Sequence, residues 1–126
     1  MYLFVYGTLK KSSGHVAHAL LNNDCIYQNE GYFFGELYDL GDYPAAIEIK
    51  NSPQKVLGEL YRITNPQNLF ARLDDYEECS ANYPMPHEYL RKMITVYDQQ
   101  HQPFQAWCYL YNLLGVRDVD SKRNKT

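Results

Sequence analysis

Six short runs rich in β-branched and aromatic residues, each bounded by turn formers, constrain this chain more than any other feature: residues 2–6, 31–40, 45–49, 56–63, 90–97 and 104–111. Only two stretches carry helical spacing, a short one over 16–21 and a longer one over 66–78. The longer has Asn65 as its N-cap and Pro66 at the first helical position, where a missing N–H costs nothing. Strands and helices do not alternate regularly, so a Rossmann-type nucleotide fold does not fit. The pattern predicts an α+β fold, a small mixed β-barrel-like sheet with two or so flanking helices. The phrase Gly35-Glu36-Leu37-Tyr38 returns as Gly58-Glu59-Leu60-Tyr61, and a single echo of this kind reads as two strands, each with a glycine at a bend or bulge.

At 126 residues the chain has room for one domain and one main pocket. We divide it into a domain over 1–115 and a polar C-terminal extension over 116–126. Apolar runs stay well short of the roughly 18 residues needed to span a membrane. Met1 is followed at once by strand-like sequence, with no basic segment leading into a longer apolar one, so we expect no secretory signal and a cytoplasmic, soluble protein. A net charge of −3 supplies no basic field for a phosphate backbone, and clustered positive charge is confined to Lys122-Arg123-Asn124-Lys125 near the C-terminus. Neither nucleic acid nor membrane is an expected partner. Cys25, Cys79 and Cys108 are odd in number and irregular in spacing, which argues for reduced thiols over a disulfide framework or a metal knuckle. Thirteen tyrosines bring surface suited to pockets that are half apolar and half hydrogen-bonding.

One acidic residue stands out on the longer helix. At ~100° per residue Leu69, Leu73 and Tyr76 fall within about 60°, and Phe70 widens the apolar arc to roughly 120°. Glu77 lies inside that arc, whereas Asp74, Asp75 and Glu78 project outside it as solvated residues. A carboxylate pressed against apolar neighbours has its charged form disfavoured, which moves its pKa toward neutrality and suits general acid/base work. The helical wheel alone leaves open a second reading, in which Glu77 sits at the edge of the stripe and pairs with a surface base.

A second feature is Val5-Tyr6-Gly7-Thr8-Leu9-Lys10, a strand running through glycine into polar residues ahead of a helix. Such a turn can aim consecutive backbone N–H groups at an anion. It is neither a Walker loop nor a GxGxxG fingerprint. Alone, a strand-Gly-Thr segment is also what an ordinary turn looks like. His15 and His18, spaced i and i+3, could be two metal ligands, but no further ligand cluster is near and we read them as solvated. Cys79 lacks an identifiable histidine partner and reads as inert, and Lys10 and Lys11 as a solvated pair.

The run Leu3-Phe4-Val5-Tyr6-Gly7-Thr8-Leu9-Lys10 resembles the YGTL signature of the gamma-glutamylcyclotransferase-like family, which includes gamma-glutamylamine cyclotransferases. Further landmarks follow in order: Tyr43-Pro44-Ala45, Val56-Leu57-Gly58-Glu59-Leu60-Tyr61, Leu73-Asp74-Asp75-Tyr76-Glu77, Tyr89-x-Arg91 and Ala106-Trp107-Cys108-Tyr109. The resemblance implies a small mixed barrel and a cyclotransferase that releases 5-oxoproline from a gamma-glutamyl amine or gamma-glutamyl amino acid. It implies Glu77 as the proton acceptor and the backbone of Tyr6, Gly7, Thr8 and Leu9 as the holder of the substrate alpha-carboxylate. Tyr43, Tyr89 and Tyr109 are then candidates to line the pocket. Ring closure of this kind needs positioning and proton transfer, so no metal and no cofactor is expected. A different class of function fits the same residues: a non-catalytic module that captures a small carboxylate ligand or peptide terminus. One departure stands out, because the family often has glycine after the catalytic glutamate and this chain has Glu78.

Overall fold

Strand β2 (Cys25–Asp39) is the longest element, and the sheet is organised around it. The computed structural model describes residues 1–7, 10, 16–21, 23–41 and 44–113. Besides β2 these comprise β1 (Tyr2–Val5), a 3-10 helix (Val16–Leu21), β3 (Pro44–Glu48), β4 (Lys55–Ile63), helix α1 (Pro66–Tyr76), β5 (Tyr89–Asp98) and β6 (Pro103–Tyr111). The strands form one sheet in the order β3-β2-β4-β1-β6-β5, and pairing of Gly31 and Tyr32 with Asp98 and Tyr97 joins β2 to β5 and closes it. The pairing of β1 with β6 is parallel and the others are antiparallel, so the barrel is mixed, as the sequence predicts.

Alternation along β1 assigns the two faces. Phe4 points into the barrel, where it packs with Phe33, Val56, Leu60, Val96 and Cys108, while Leu3 and Val5 point outward to meet Leu69 and Leu73 of α1. A third cluster, built on Tyr38, Ala45, Tyr89 and Tyr111, lies where β3 approaches the start of β5 and the end of β6. The entry of α1 is pinned by buried Asp24, which forms an ion pair with Arg72 and accepts from Asn68 Nδ2 at 3.1 and 3.2 Å. Its backbone carbonyl accepts from Thr64 and Asn65, and the Asn65 side chain caps the helix at Asn68 N. These bonds satisfy a carboxylate that would otherwise be costly to bury.

Several expectations change. β2 begins at Cys25 and not at 31, because its first half is paired with β4 through a register shift between Tyr27 and Asn29 and keeps one face in water, so Gln28 and Glu30 look like loop residues in sequence. The short helix is 3-10, and α1 ends at Tyr76 with Glu77 as its cap. Neither glycine of the repeated phrase sits at a bulge. A Cβ on Gly35 would lie 2.1 Å from the Ile47 carbonyl oxygen, and one on Gly58 would lie 2.3 Å from that of Val5. Both glycines are there so that adjacent backbones can touch. Among the described residues no helix is long and apolar enough to cross a membrane. The extension over 116–126 lies outside the described residues.

Candidate active site

Leu69, Leu73 and Glu77 are spaced by four, and this stripe carries the helix face down to its last residue. Leu69 and Leu73 are fully buried, and Glu77 follows them half-buried, its N–H donating to Leu73 O at 2.9 Å. The chain then turns sharply. Glu78 N donates to Asp75 O at 3.1 Å and Cys79 N to Asp74 O at 2.9 Å, the paired bonds of a Schellman ending, with Glu78 at φ 57 in the left-handed position that glycine usually fills. The departure from the family pattern therefore falls on a strained residue. Glu78→Gly should raise stability by about 1 kcal/mol, measured by denaturant unfolding.

Glu78 has an electrostatic effect too. Burial and, second, the Glu78 charge push the Glu77 carboxyl from 4.5 up to about 7. Glycine at 78 removes the second contribution, so the same variant should lower the Glu77 pKa, read by carboxyl titration.

What faces Glu77 comes from several elements. Its charge is felt at the Tyr6 hydroxyl just past β1 and at the Cys108 thiol of β6, both of which burial raises well above their ordinary values. Tyr6 OH donates to the Tyr109 carbonyl at 2.6 Å, and a backbone hydrogen bond from Ala46 opposes the upward shift. Tyr89, within electrostatic reach of Tyr6, donates its hydroxyl to Pro44 O at 2.7 Å. Pro44 also walls the turn after β1: Gly7 has φ +76, and a Cβ there would meet Pro44 Cγ at 3.0 Å. Lys10 N donates to Gly7 O at 3.2 Å. Thr8, Leu9 and Tyr43, expected from sequence at this site, lie outside the described residues. Tyr89 and Glu77 thus both lie within electrostatic reach of Tyr6.

Tyr109 contributes differently. Its carbonyl holds Tyr6, but its ring packs on the α1 side and its hydroxyl donates to Asp74 Oδ1 at 2.6 Å. Asp74 is accordingly not the solvated residue expected: its side chain is 23% exposed and is bound through both oxygens by Arg91 at 3.0 and 3.1 Å. Tyr76, expected in the core, is 41% exposed. Around the helix these residues run Tyr76, Leu69, Leu73, Glu77, Phe70, Asp74. The buried face is rotated toward Asp74 because β5 and β6 supply Arg91 and Tyr109 as polar partners on that side. Sequence reasoning also missed Glu48, a half-buried carboxylate whose charge, like that of Glu77, reaches Cys108.

Burial raises the Cys79 thiol to about 11, so it is a neutral thiol at physiological pH and a poor nucleophile. The ring of His18 lies 6.2 Å from that of Tyr61, while His15 and Lys11 fall outside the described residues. Among the described residues no group of three or more His, Cys, Asp or Glu side chains is arranged to hold a metal ion.

A closed mixed barrel, with α1 as the one α-helix among the described residues, is a cyclotransferase-type fold. Residues 3–125 match the model of the family described as gamma-glutamyl cyclotransferase, AIG2-like, and the chain belongs to that family. None of the curated proteins matches. Among solved structures, an AIG2-like protein from Mus musculus is 23% identical, with a TM-score of 0.69 over 86% of this chain and 75% of that one. YkqA from Bacillus subtilis is 24% identical with a TM-score of 0.66, over 88% of this chain and 35% of that one. A gamma-glutamyl cyclotransferase is 14% identical with a TM-score of 0.63, over 89% of this chain and 66% of that one. These likenesses concern the fold.

Proposed function

We propose that the protein is a cyclotransferase that releases 5-oxoproline from a gamma-glutamyl amine or gamma-glutamyl amino acid. The observation that carries this reading is the Glu77 carboxyl, half-buried at the end of α1 and within electrostatic reach of Tyr6, with its pKa raised to about 7. In the reaction the substrate's alpha-amine nitrogen bonds to its own gamma-carbonyl carbon, and the bond from that carbon to the departing nitrogen breaks. Glu77 takes the proton released by the attacking amine and returns it to the leaving amine, so a group that titrates near neutrality serves both steps. Backbone groups of Tyr6, Gly7, Thr8 and Leu9 hold the alpha-carboxylate, with Gly7 leaving room against Pro44. Folding the substrate so that its two reacting atoms meet supplies the remainder of the acceleration. No metal, cofactor or covalent intermediate enters. The three free cysteines, one fully buried, fit a reducing compartment, and we place the protein in the cytoplasm.

The pH dependence follows from the direction of the shift. Glu77 must begin deprotonated to accept the amine proton, so kcat/KM should rise as pH passes upward through about 7 and fall below it. The reading itself is tested by assaying 5-oxoproline release from a panel of gamma-glutamyl compounds, with leaving groups that include alpha-amino acids and a lysine side-chain amine. Calorimetric binding of the same compounds is measured in parallel. Release from at least one compound is expected; binding without release from any would favour the non-catalytic module.

A further inference from the structure

Glu77 occupies a helix end that is intrinsically weak, since the turn beyond it depends on a left-handed residue that is not glycine. Both sides of that turn lead to one residue of β5. The residue three before Glu77 is Asp74, gripped by Nε and Nη2 of Arg91. Cys79, two after Glu77, has its thiol within electrostatic reach of Arg91, which opposes the rise in its pKa. The β5–β6 register sets Arg91 opposite Tyr109, whose hydroxyl completes the hold on Asp74 and whose carbonyl carries Tyr6. Arg91 is itself fixed. Its guanidinium carbon stands 3.9 Å from the ring centre of Phe70 and 5.0 Å from that of Trp107, two rings that meet edge to face. Burial works against its charge, but the bonds to Asp74 outweigh this and its pKa is raised.

We propose that Arg91, held against Phe70 and Trp107, is a positioning residue: acting through Asp74 and Tyr109, it fixes the last turn of α1 and with it the direction of the Glu77 carboxylate. This rests on reading Glu77 as the proton-transfer group. A planar, two-pronged guanidinium suits the task because it sets direction as well as distance, which an ammonium does not.

The test is a carboxyl titration of Glu77 by NMR in wild type, Arg91→Lys and Arg91→Met, which needs no substrate. The titratable groups coupled to Glu77 are Glu78 and Cys79 on its own segment, Tyr6 past β1 and Cys108 on β6, and Cys79 in turn feels Asp74 and Arg91. Removing the Arg91 charge and freeing Asp74 would, by electrostatics alone, raise the Glu77 pKa. Loosening the turn admits water and lowers it. We expect a fall of about one pKa unit or more in Arg91→Met and a smaller fall in Arg91→Lys. Arg91→Lys should also lose about tenfold or more in kcat with little change in KM. Should Arg91→Met not fold, the lysine variant decides. A Glu77 pKa that rises or stays in place in folded variants would overturn the proposal. Absence of 5-oxoproline release by the wild type would remove the cyclotransferase reading and leave the titration to decide the clamp.

Discussion

Glu77→Gln should lose about 10²–10⁴-fold in kcat while substrate binding is largely kept, because the amide preserves size and much of the hydrogen bonding but cannot take the alpha-amine proton. Glu78→Gln removes an equal charge one residue away and should cost far less. The stability of the Glu77 variant separates lost chemistry from lost fold. A carboxyl whose folded pKa is raised from 4.5 to about 7 stabilises the protein fully only below pH 4.5, and that contribution is lost as pH rises through 7. The wild type thus gives up on the order of 3 kcal/mol across that interval, a term the glutamine variant lacks. Denaturant unfolding at pH 8 should find Glu77→Gln more stable than wild type, and at pH 4 the advantage should be gone. Turnover at a wild-type rate would show that Glu77 is not the acid/base. Inactivity in Glu78→Gln instead would move the role to its neighbour.

The largest effect on folding is expected from Gly58→Ala, which should cost about 3 kcal/mol or more. Here the added methyl meets backbone: it would stand 2.3 Å from the Val5 carbonyl oxygen and 2.6 Å from Phe4 Cζ, and β1 cannot withdraw without breaking its pairing with β4. Val5 leads directly into Tyr6 and Gly7, so strain at Gly58 reaches the site. Thermal unfolding should show a drop of roughly 10 °C or more, with reduced soluble expression. A variant as stable as wild type would mean that β1 and β4 do not approach so closely.

Much of the architecture was legible because each face of a small barrel writes its own period into the chain. Phe4 against Leu3 and Val5 is the plainest case, the alternation distinguishing interior from helix-facing residues. The half-buried placement of Glu77 was legible for the same reason: it stands four after Leu73, itself four after Leu69. The partners of Asp74 were not. Arg91 is 17 residues away and Tyr109 is 35, on strands whose register no local pattern fixes, so the wheel assigned Asp74 to solvent and Tyr76 to the core. The first half of β2 escaped because a bulged strand with one wet face loses both its alternation and its apolar character. The glycines of the repeated phrase were recognised as special, but a close approach to another strand is a tertiary fact that sequence presents only as a missing side chain.

The central claim is that Glu77 directs a gamma-glutamyl group to close on its own alpha-amine. A gamma-glutamyl amide carrying an isotope label on the alpha-amine nitrogen tests this most directly, with products resolved by mass spectrometry. Cyclisation predicts labelled 5-oxoproline and one equivalent of unlabelled leaving amine, both formed at least about a hundredfold more slowly by Glu77→Gln. Labelled glutamate as the product would mean hydrolysis, and binding of the compound with neither product would mean a site without chemistry; either result would contradict the account.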